Sequence, residues 1–223
     1  MPRMPQKRKI VLGTNLTLAA PSHGKPPPVP ASPPIVIETE NYRMRSLRAT
    51  DAGPSLREWL KDSDMIEGLN IAAIDWTADR LQKFILSFDN KRKYMVGIFD
   101  KSNDLLIGFY TIDVNALHNT AQMTAGIGNK EYWGRNVFAE TARPLIGHLF
   151  AHRKIDKVTA RVISSNRRMF FNFMNSKRFY LEARLREEIL SPAGKRLDVF
   201  SFAALKSGEA AAPEPGRGSP KRV

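Results

Sequence analysis

Cysteine is absent from the 223-residue chain, and so is any long apolar run. Without cysteine there is no disulfide, no thiolate metal site and no cysteine nucleophile, and nothing in the sequence reports the redox compartment. No run approaches the roughly 20 apolar residues that a membrane-spanning helix needs, so we expect a soluble protein without a membrane partner. His148 and His152 share a helical face but lack a third ligand, so no metal site is expected.

Acidic residues are scarce, with 22 Asp and Glu against 35 Lys and Arg and a formal net charge of +13. Residues 1–34 carry +5 of this charge and residues 206–223 carry +2, which leaves +6 for residues 35–205. Because about half of the excess lies at the two ends, it favours solvated tails and an anion site over nucleic-acid binding as the main function.

Three regions follow from the composition. Residues 1–34 form a basic leader that ends in a proline cluster, and we expect it to be disordered. Regular apolar patterns run from Ile35 to Leu205, a length that suits one well-buried domain. Residues 206–223 are predicted to be a second disordered tail.

Hydrophobic periodicity predicts the elements of this domain. A helix is expected to begin near Thr50 or Asp51 and a second at Thr77, with a polar loop at residues 62–70 between them. Further helices are expected at residues 137–150 and 166–175. The expected strands are residues 35–38, 43–47, 94–99, 105–113, 122–128, 158–162, 181–190 and 197–205. This order predicts a mixed α/β (α+β) fold, in which helices cover a mixed sheet.

The most informative stretch runs from Gly126 to Glu140, where a strand, a short polar loop and the clearest helix follow one another. Glycine and asparagine in the loop tolerate positive φ. A helix N-terminus carries about half a positive charge and several unpaired N–H groups, so such a unit can bind a phosphate or a diphosphate. Many strand–loop–helix units with a glycine are only turns, and spacing alone does not separate the two cases.

The same stretch resembles the acetyl-CoA pyrophosphate loop of the GNAT superfamily. It is most similar to the subgroup that includes ribosomal-protein N-terminal and spermidine acetyltransferases, whose pattern is approximately I-G-x-x-x-Y-W-G-K-G-Y-A-T-E-A. The matching positions are Ile127, Gly128, Tyr132, Trp133, Gly134 and Glu140, and Arg135 stands in place of Lys.

Three further segments extend the resemblance over almost the whole domain. Residues 47–51 (LRATD) resemble the opening L-R-x-x-D of the family, and residues 107–110 (IGFY) resemble its I-G-x-x strand. Residues 179–186 (FYLEARLR) resemble its ending, G-F-x-x-E-G-x-L-R. The resemblance implies a mostly antiparallel sheet flanked by helices.

The resemblance also implies acetyl-CoA as the cosubstrate, without a metal. The expected cofactor-binding residues are Ile127, Gly128, Trp133, Gly134, Arg135, Asn136, Val137, Phe138 and Asn166. In relatives the position of Asn166 contacts the pantetheine arm, although this asparagine can equally cap the helix that follows it.

Several residues depart from the family pattern. Asn136 occupies the position of the second glycine of the loop, where its tolerance of left-handed geometry can preserve the turn. Phe138 replaces a small residue and can crowd the phosphate, and Pro144 is expected to kink the helix. Met169 stands where serine is common, and Phe173 stands where many relatives place a proton-donating tyrosine.

A direct attack of a neutral amine on a thioester requires removal of a proton and stabilisation of the oxyanion. We take Glu67, Asp113 and Tyr132 as the candidate catalytic residues. Other candidates are Asp64 and Glu182 for the base and Tyr180 for a tyrosine near the site, although solvation or packing also explains each of these side chains.

The expected function is therefore a cytoplasmic N-acetyltransferase that acts on an amine, either a small molecule or a protein N-terminus. Residues 62–70 are expected to help select this amine, and the protein is expected to be a monomer or a homodimer. The alternative is a GNAT-fold module with weak or no catalysis, which docks an acidic partner such as RNA through its basic tails.

Overall fold

The structure is a computed structural model that describes residues 32–191 and 193–208. Most of the expected leader (residues 1–34) and most of the expected tail (residues 206–223) lie outside the described residues, so both remain predictions.

The described residues contain eight strands and five α-helices. The strands are β1 (Val36–Glu38), β2 (Tyr42–Ser46), β3 (Lys93–Asp100), β4 (Leu106–Asn115), β5 (Thr120–Ile127), β6 (Lys157–Ile163), β7 (Tyr180–Leu190) and β8 (Arg196–Leu205). The helices are α1 (Pro54–Trp59), α2 (Ser63–Leu69), α3 (Ala78–Leu86), α4 (Val137–His152) and α5 (Arg167–Met174). Two 3₁₀ turns, Ala49–Asp51 and Lys130–Tyr132, precede α1 and α4.

All eight strands form one sheet in the order β1-β2-β3-β4-β5-β6-β8-β7. Only β5 and β6 are parallel, and every other neighbouring pair is antiparallel. This arrangement confirms the expected mixed, mostly antiparallel sheet.

The parallel pair separates before its strands end. Pairing between β5 and β6 runs from Thr120 and Lys157 to Met123 and Ala160 and then stops. Beyond that point β5 remains paired with β4 as far as Ile127, and β6 remains paired with β8 as far as Ile163. The two strands therefore diverge and leave a cleft between the halves of the sheet.

Successive side chains of each strand point to opposite faces of the sheet, and each face carries its own hydrophobic core. In β3, Val96 and Ile98 belong to the larger core, which also contains the buried face of α4. Met95 and Phe99 face the other way, into a second core built with α1, α2 and α3. Helices on both faces thus bury both sides of the sheet.

Residues 63–69 form α2, so the prediction of a polar loop at residues 62–70 was wrong. The side chain of Asp62 caps α2 by accepting hydrogen bonds from the N–H groups of Asp64 (3.0 Å) and Met65 (3.2 Å). Asn70 ends the helix in left-handed geometry, with φ of 49°. The polar composition concealed a short helix that is held by its two ends and by burial of Met65.

The first helix begins later than predicted. Gly53 is the N-cap of α1 and Pro54 is its first residue, an arrangement that proline favours. Asp51 instead accepts two hydrogen bonds from Arg45, both at 2.7 Å, and a third from the N–H of Arg48 at 2.7 Å. Thr77 caps α3 as predicted, with its hydroxyl 3.2 Å from the N–H of Arg80.

Glu140 joins α4 to the turn between β1 and β2. Its carboxylate accepts hydrogen bonds from the Thr39 hydroxyl (2.6 Å) and from the N–H (2.8 Å) and side-chain amide (3.0 Å) of Asn41, in the turn between β1 and β2. Partial burial opposes ionisation, but these hydrogen bonds outweigh it and lower the pKa of Glu140. The helix is continuous across Pro144.

Replacing Gly128 with alanine should destabilise the protein, because a Cβ there would lie 2.0 Å from Cδ2 of Trp59 on α1. Overpacking of this kind costs about 1–3 kcal/mol. Gly147 is the matched control, since a Cβ at this exposed position in α4 would meet nothing within 4 Å. The free energy of unfolding, measured in urea, should be well below the wild-type value for Gly128→Ala and at or above it for Gly147→Ala. Equal stabilities for the two variants would contradict the packing.

Glu140→Gln should lower stability in a pH-dependent manner. A carboxylate whose pKa is depressed on folding stabilises the protein above its unfolded pKa of about 4.3, and this contribution is lost as the pH falls through the folded value. We therefore expect a loss of about 1 kcal/mol at pH 7, which shrinks below pH ~4. Thermal unfolding of the variant and the wild type at several pH values measures this loss of stability. A loss that does not vary with pH would exclude the ionised carboxylate as its source.

Candidate active site

The N-terminus of α4 is open to a ligand. Asn136 is its N-cap residue but makes no side-chain capping bond, whereas Asp62, Thr77 and Asn166 cap α2, α3 and α5. The first N–H groups of the longest described helix therefore lack the side-chain acceptor that α2, α3 and α5 have; α1, whose N-cap is Gly53, lacks one as well. Such a helix end favours an anion.

Left-handed residues shape the loop before this helix. Gly134 has φ of 82° and Asn136 has φ of 55°, so the asparagine keeps the geometry that glycine adopts easily. A Cβ on Gly134 would meet no atom within 4 Å, which shows that its conformation rather than crowding favours glycine there. The expectation that Asn136 preserves the turn agrees with this geometry.

Two aromatic side chains hold the loop in place. The indole N–H of Trp133 donates to the carbonyl of Ile127 at 2.8 Å. The Tyr132 hydroxyl donates to Asp100 at 2.6 Å, and this hydrogen bond is the largest cause that raises the pKa of Tyr132. The hydroxyl of Tyr132 thus binds the end of β3.

A cavity of about 410 Å³ lies in front of the α4 N-terminus. Its walls come from α2, the end of β5, the loop with the first turn of α4, and the first turn of α5. Arg167 and Arg168 line it on the α5 side, which adds positive charge to that of the helix end. A second, much smaller pocket of about 20 Å³ lies in the cleft between β5 and β6, where Met123 and Ala160 are among the lining residues. It adjoins the cavity, since Asn166 and Met169 line both.

Asn166 lies beside the cleft, between the end of α2 and the start of α5. Its side-chain oxygen accepts from the N–H of Met169 at 3.1 Å and so caps α5. Its side-chain amide donates to the carbonyl of Gly68 at 3.0 Å, which ties the end of α2 to the start of α5. The capping role is therefore present in the structure, and the side chain also lines the cavity.

The aromatic departures from the family pattern pack together in the core. The ring of Phe138 lies 4.7 Å from the ring of Phe173 and 6.5 Å from that of Tyr110, measured between centroids. Phe138 is 3% exposed. Phe173 also packs on Phe202 at 5.1 Å. The bulk of these rings therefore fills the protein interior.

The candidate catalytic residues do not converge on one point. Glu67 lines the cavity from an exposed position on α2. Tyr132 also lines it, but its hydroxyl is bonded to Asp100, which does not. Asp113 pairs with Gln122 in β4–β5. Gln122 lies five residues before Ile127, the residue that ends β5 at the cavity, which is roughly 16 Å along the strand. Burial raises the pKa of Asp113, but its carboxyl does not line the cavity.

The remaining candidates are engaged elsewhere or lie outside the cavity. Asp64 lines the cavity but accepts a hydrogen bond from Lys130 at 2.7 Å. Glu182 forms an ion pair with Lys157 on β6. Tyr180 begins β7 opposite Ala203 and is not among the residues that line the cavity.

Three residues around the site were not identified from the sequence. Trp59 packs on Gly128, Lys130 pairs with both Asp62 (2.8 Å) and Asp64 (2.7 Å), and Arg168 lies over the ring of Trp133. The ammonium of Lys130 is the largest cause that lowers the pKa of Asp62. No local pattern signals these contacts, because each joins segments that are distant in sequence.

A search of the described residues finds no group of three or more His, Cys, Asp or Glu side chains that could hold a metal ion. Within the same residues, no helix is long and apolar enough to cross a membrane. The donors that the cavity does offer are backbone N–H groups and guanidinium groups, which fit the phosphates of a nucleotide cofactor such as coenzyme A.

Solved structures share this fold. A ribosomal L7/L12 α-N-protein acetyltransferase (RimL) in complex with coenzyme A aligns with a TM-score of 0.69 at 13% identity, over 78% of this chain and 100% of the other. The spermidine N-acetyltransferase from Vibrio cholerae, in complex with CoA and spermine, aligns with a TM-score of 0.67 at 17% identity, over 75% and 97%. At these identities the likeness establishes the fold.

Sequence comparisons establish the family. The chain is 26% identical over 140 residues to a protein of Bacillus subtilis (strain 168) named "Probable N-acetyltransferase YjcK", a match that covers 59% of this chain and 76% of the relative. The family model "Acetyltransferase (GNAT) domain" matches residues 41–170, more than half of the chain. The resemblance noted in the sequence is thereby confirmed, and the chain belongs to the GNAT family of N-acetyltransferases.

Proposed function

We propose that this N-acetyltransferase uses acetyl-CoA and transfers the acetyl group directly to an amine. The observation that carries the proposal is the uncapped N-terminus of α4, which opens into the cavity through a loop with positive φ at Gly134 and Asn136. Phosphate oxygens can accept hydrogen bonds from the first N–H groups of the helix. The residues proposed to form this part of the site are Ile127, Gly128, Trp133, Gly134, Arg135, Asn136, Val137 and Phe138.

The cleft between β5 and β6 provides a path for the pantetheine arm. After Met123, β5 has no strand partner on the β6 side, so its backbone groups there are free to pair with the amides of an extended ligand. Asn166 lines this cleft with its side-chain amide bonded to Gly68. We propose that the arm lies between Asn166 and the end of β5.

Glu67 is the best-placed group to receive the amine proton. During transfer a nitrogen–carbon bond forms and the carbon–sulfur bond breaks, so the nitrogen must lose a proton and the thiolate must gain one. Glu67 lines the cavity, and no hydrogen bond or ion pair of its side chain is found among the described residues. Asp64, on the same helix, is paired with Lys130. We propose Glu67 as the base, acting directly or through one water.

The acceptor is proposed as an amine of a small molecule or of a protein N-terminus. Structural neighbours include a spermidine N-acetyltransferase and ribosomal-protein acetyltransferases, and both kinds of acceptor present an amine. Arg167 and Arg168 line the cavity, but so do Asp64 and Glu67, so the formal charges of the lining balance. The net charge of +6 on residues 35–205 repels a polycationic amine more than a single N-terminal amine. Salt screens this difference.

The alternative of a non-catalytic module rests on the departures at Asn136, Phe138, Met169 and Phe173. The structure accommodates two of them in the core and one in a left-handed turn. The open helix end therefore favours a catalytic enzyme over a non-catalytic module. If the protein binds acetyl-CoA but acetylates no amine, the non-catalytic module is favoured instead.

Acetyl-CoA should stabilise the protein against heat. A ligand at a hundred times its dissociation constant contributes about 2.7 kcal/mol, which corresponds to a rise in Tm of roughly 5–10 °C. Ala139→Asp should reduce this rise, because a carboxylate in the first turn of α4 competes for the same N–H groups and repels phosphate. Ala139→Asn is the matched control without the charge and should retain most of the rise.

The melting temperatures of the variants without ligand test whether the variants fold. An acidic residue near a helix N-terminus is favourable, so Ala139→Asp without ligand should melt at or above the wild-type temperature. No rise in Tm for the wild-type protein at millimolar acetyl-CoA would refute cofactor binding. An equal rise in both variants would place the phosphates away from α4.

Glu67→Gln should lower kcat by about 100-fold or more while the affinity for acetyl-CoA is unchanged, because the substitution removes the base and keeps the shape. Glu58→Gln on α1 is the control, since Glu58 is also exposed but does not line the cavity. Thiol release measured with a panel of amines reports the rates. Turnover of Glu67→Gln at the wild-type rate, with a wild-type pH profile, would exclude Glu67 as the base.

A further inference from the structure

Arg168 and Trp133 make a contact across the mouth of the cleft. Arg168 belongs to α5, which follows β6, and Trp133 belongs to the loop that follows β5. The central guanidinium carbon of Arg168 lies 3.6 Å from the centroid of the Trp133 ring. Both residues line the cavity, so this stack spans from one diverging half of the sheet to the other.

The indole is fixed, and the guanidinium is the movable partner. The indole N–H of Trp133 is bonded to the carbonyl of Ile127 at 2.8 Å, which sets the orientation of the ring. Arg168 is exposed, and its side chain has no hydrogen bond or carboxylate partner among the residues that the structure describes. Arginine side chains are long and turn readily between rotamers.

A second cation at the same ring differs in this respect. The ammonium of Lys130 lies 5.4 Å from the centroid of Trp133 but also pairs with Asp62 and Asp64, at 2.8 and 2.7 Å. These two carboxylates neutralise Lys130 and hold it against α2. Arg168 is therefore the cation at this ring whose charge is left for a ligand.

We propose that Arg168 covers the cofactor groove of the free protein by stacking on Trp133 and leaves the indole to pair with a phosphate when the cofactor binds. The inference rests on the proposed use of acetyl-CoA. A cation–π contact at an exposed site is weak, whereas a guanidinium–phosphate pair is charge-assisted and can be bidentate, so the exchange favours the bound state. Arg168 thus acts as a closing residue of the free site and a binding residue of the loaded site.

The experiment measures binding of coenzyme A by calorimetry and by tryptophan emission. Coenzyme A should bind Arg168→Gln about tenfold more weakly than wild type, as expected for loss of one charge-assisted pair. The emission of the wild-type protein should change on binding, this change should vanish in Trp133→Phe, and it should be much smaller in Arg168→Gln. Arg168→Lys keeps the charge without the planar fork and should show intermediate affinity.

Arg167→Gln is the matched control for charge, because Arg167 is the neighbouring arginine and also lines the cavity but does not stack on Trp133. It should retain the wild-type change in emission on binding.

Binding of 3′-dephospho-coenzyme A identifies which phosphate pairs with Arg168. If the effect of Arg168→Gln persists with this ligand, the diphosphate is the partner, and if it disappears, the 3′-phosphate is.

Two failures are distinguishable. If calorimetry detects no binding of coenzyme A to the wild-type protein, the proposed function falls and this inference falls with it. If the wild-type protein binds but Arg168→Gln binds with the same affinity and the full change in emission, only the exchange at Trp133 is overturned.

Discussion

The separation of β5 from β6 is the constraint on which the site depends. Four residue pairs join these strands, after which each strand remains paired with its other neighbour and the two halves of the sheet part. Backbone groups that a continuous sheet would satisfy are left to face a cleft, and unpaired backbone groups require another partner. The end of β5 also places the loop and the N-terminus of α4 at the cleft, so one divergence creates both parts of the cavity.

Contacts from the rest of the chain hold this open arrangement in place. Trp59 and Met65 pack against Gly128 and Gly126, positions where a Cβ would lie 2.0 and 2.8 Å from those side chains. Asn166 ties α5 to α2 across the cleft, and Glu140 anchors α4 to the first hairpin. Each tether is modest on its own, because hydrogen bonds near the surface exchange with water. Together they fix the orientation of the helix end toward the cavity.

The departures from the family pattern have physical consequences of different kinds. Asn136 adopts the left-handed conformation that glycine would adopt, so the turn is retained. Phe138 and Phe173 pack against each other at 4.7 Å, and their joint replacement of smaller or polar groups extends the core beneath the site. A proton-donating hydroxyl is thereby absent at residue 173. In the proposed reaction, the departing thiolate would take its proton from another donor, such as water.

The sequence by itself determined the family, the order of the elements and the location of the helix mouth, because periodicity and a loop motif are local properties that neighbouring residues encode. Local patterns also predicted the strands to within a few residues. Only the tertiary structure decided that residues 63–69 form α2, that Tyr132 bonds to Asp100, and that Arg168 reaches Trp133. These contacts join segments that lie far apart in the chain. Their geometry depends on the packing of the whole sheet, which no local pattern records.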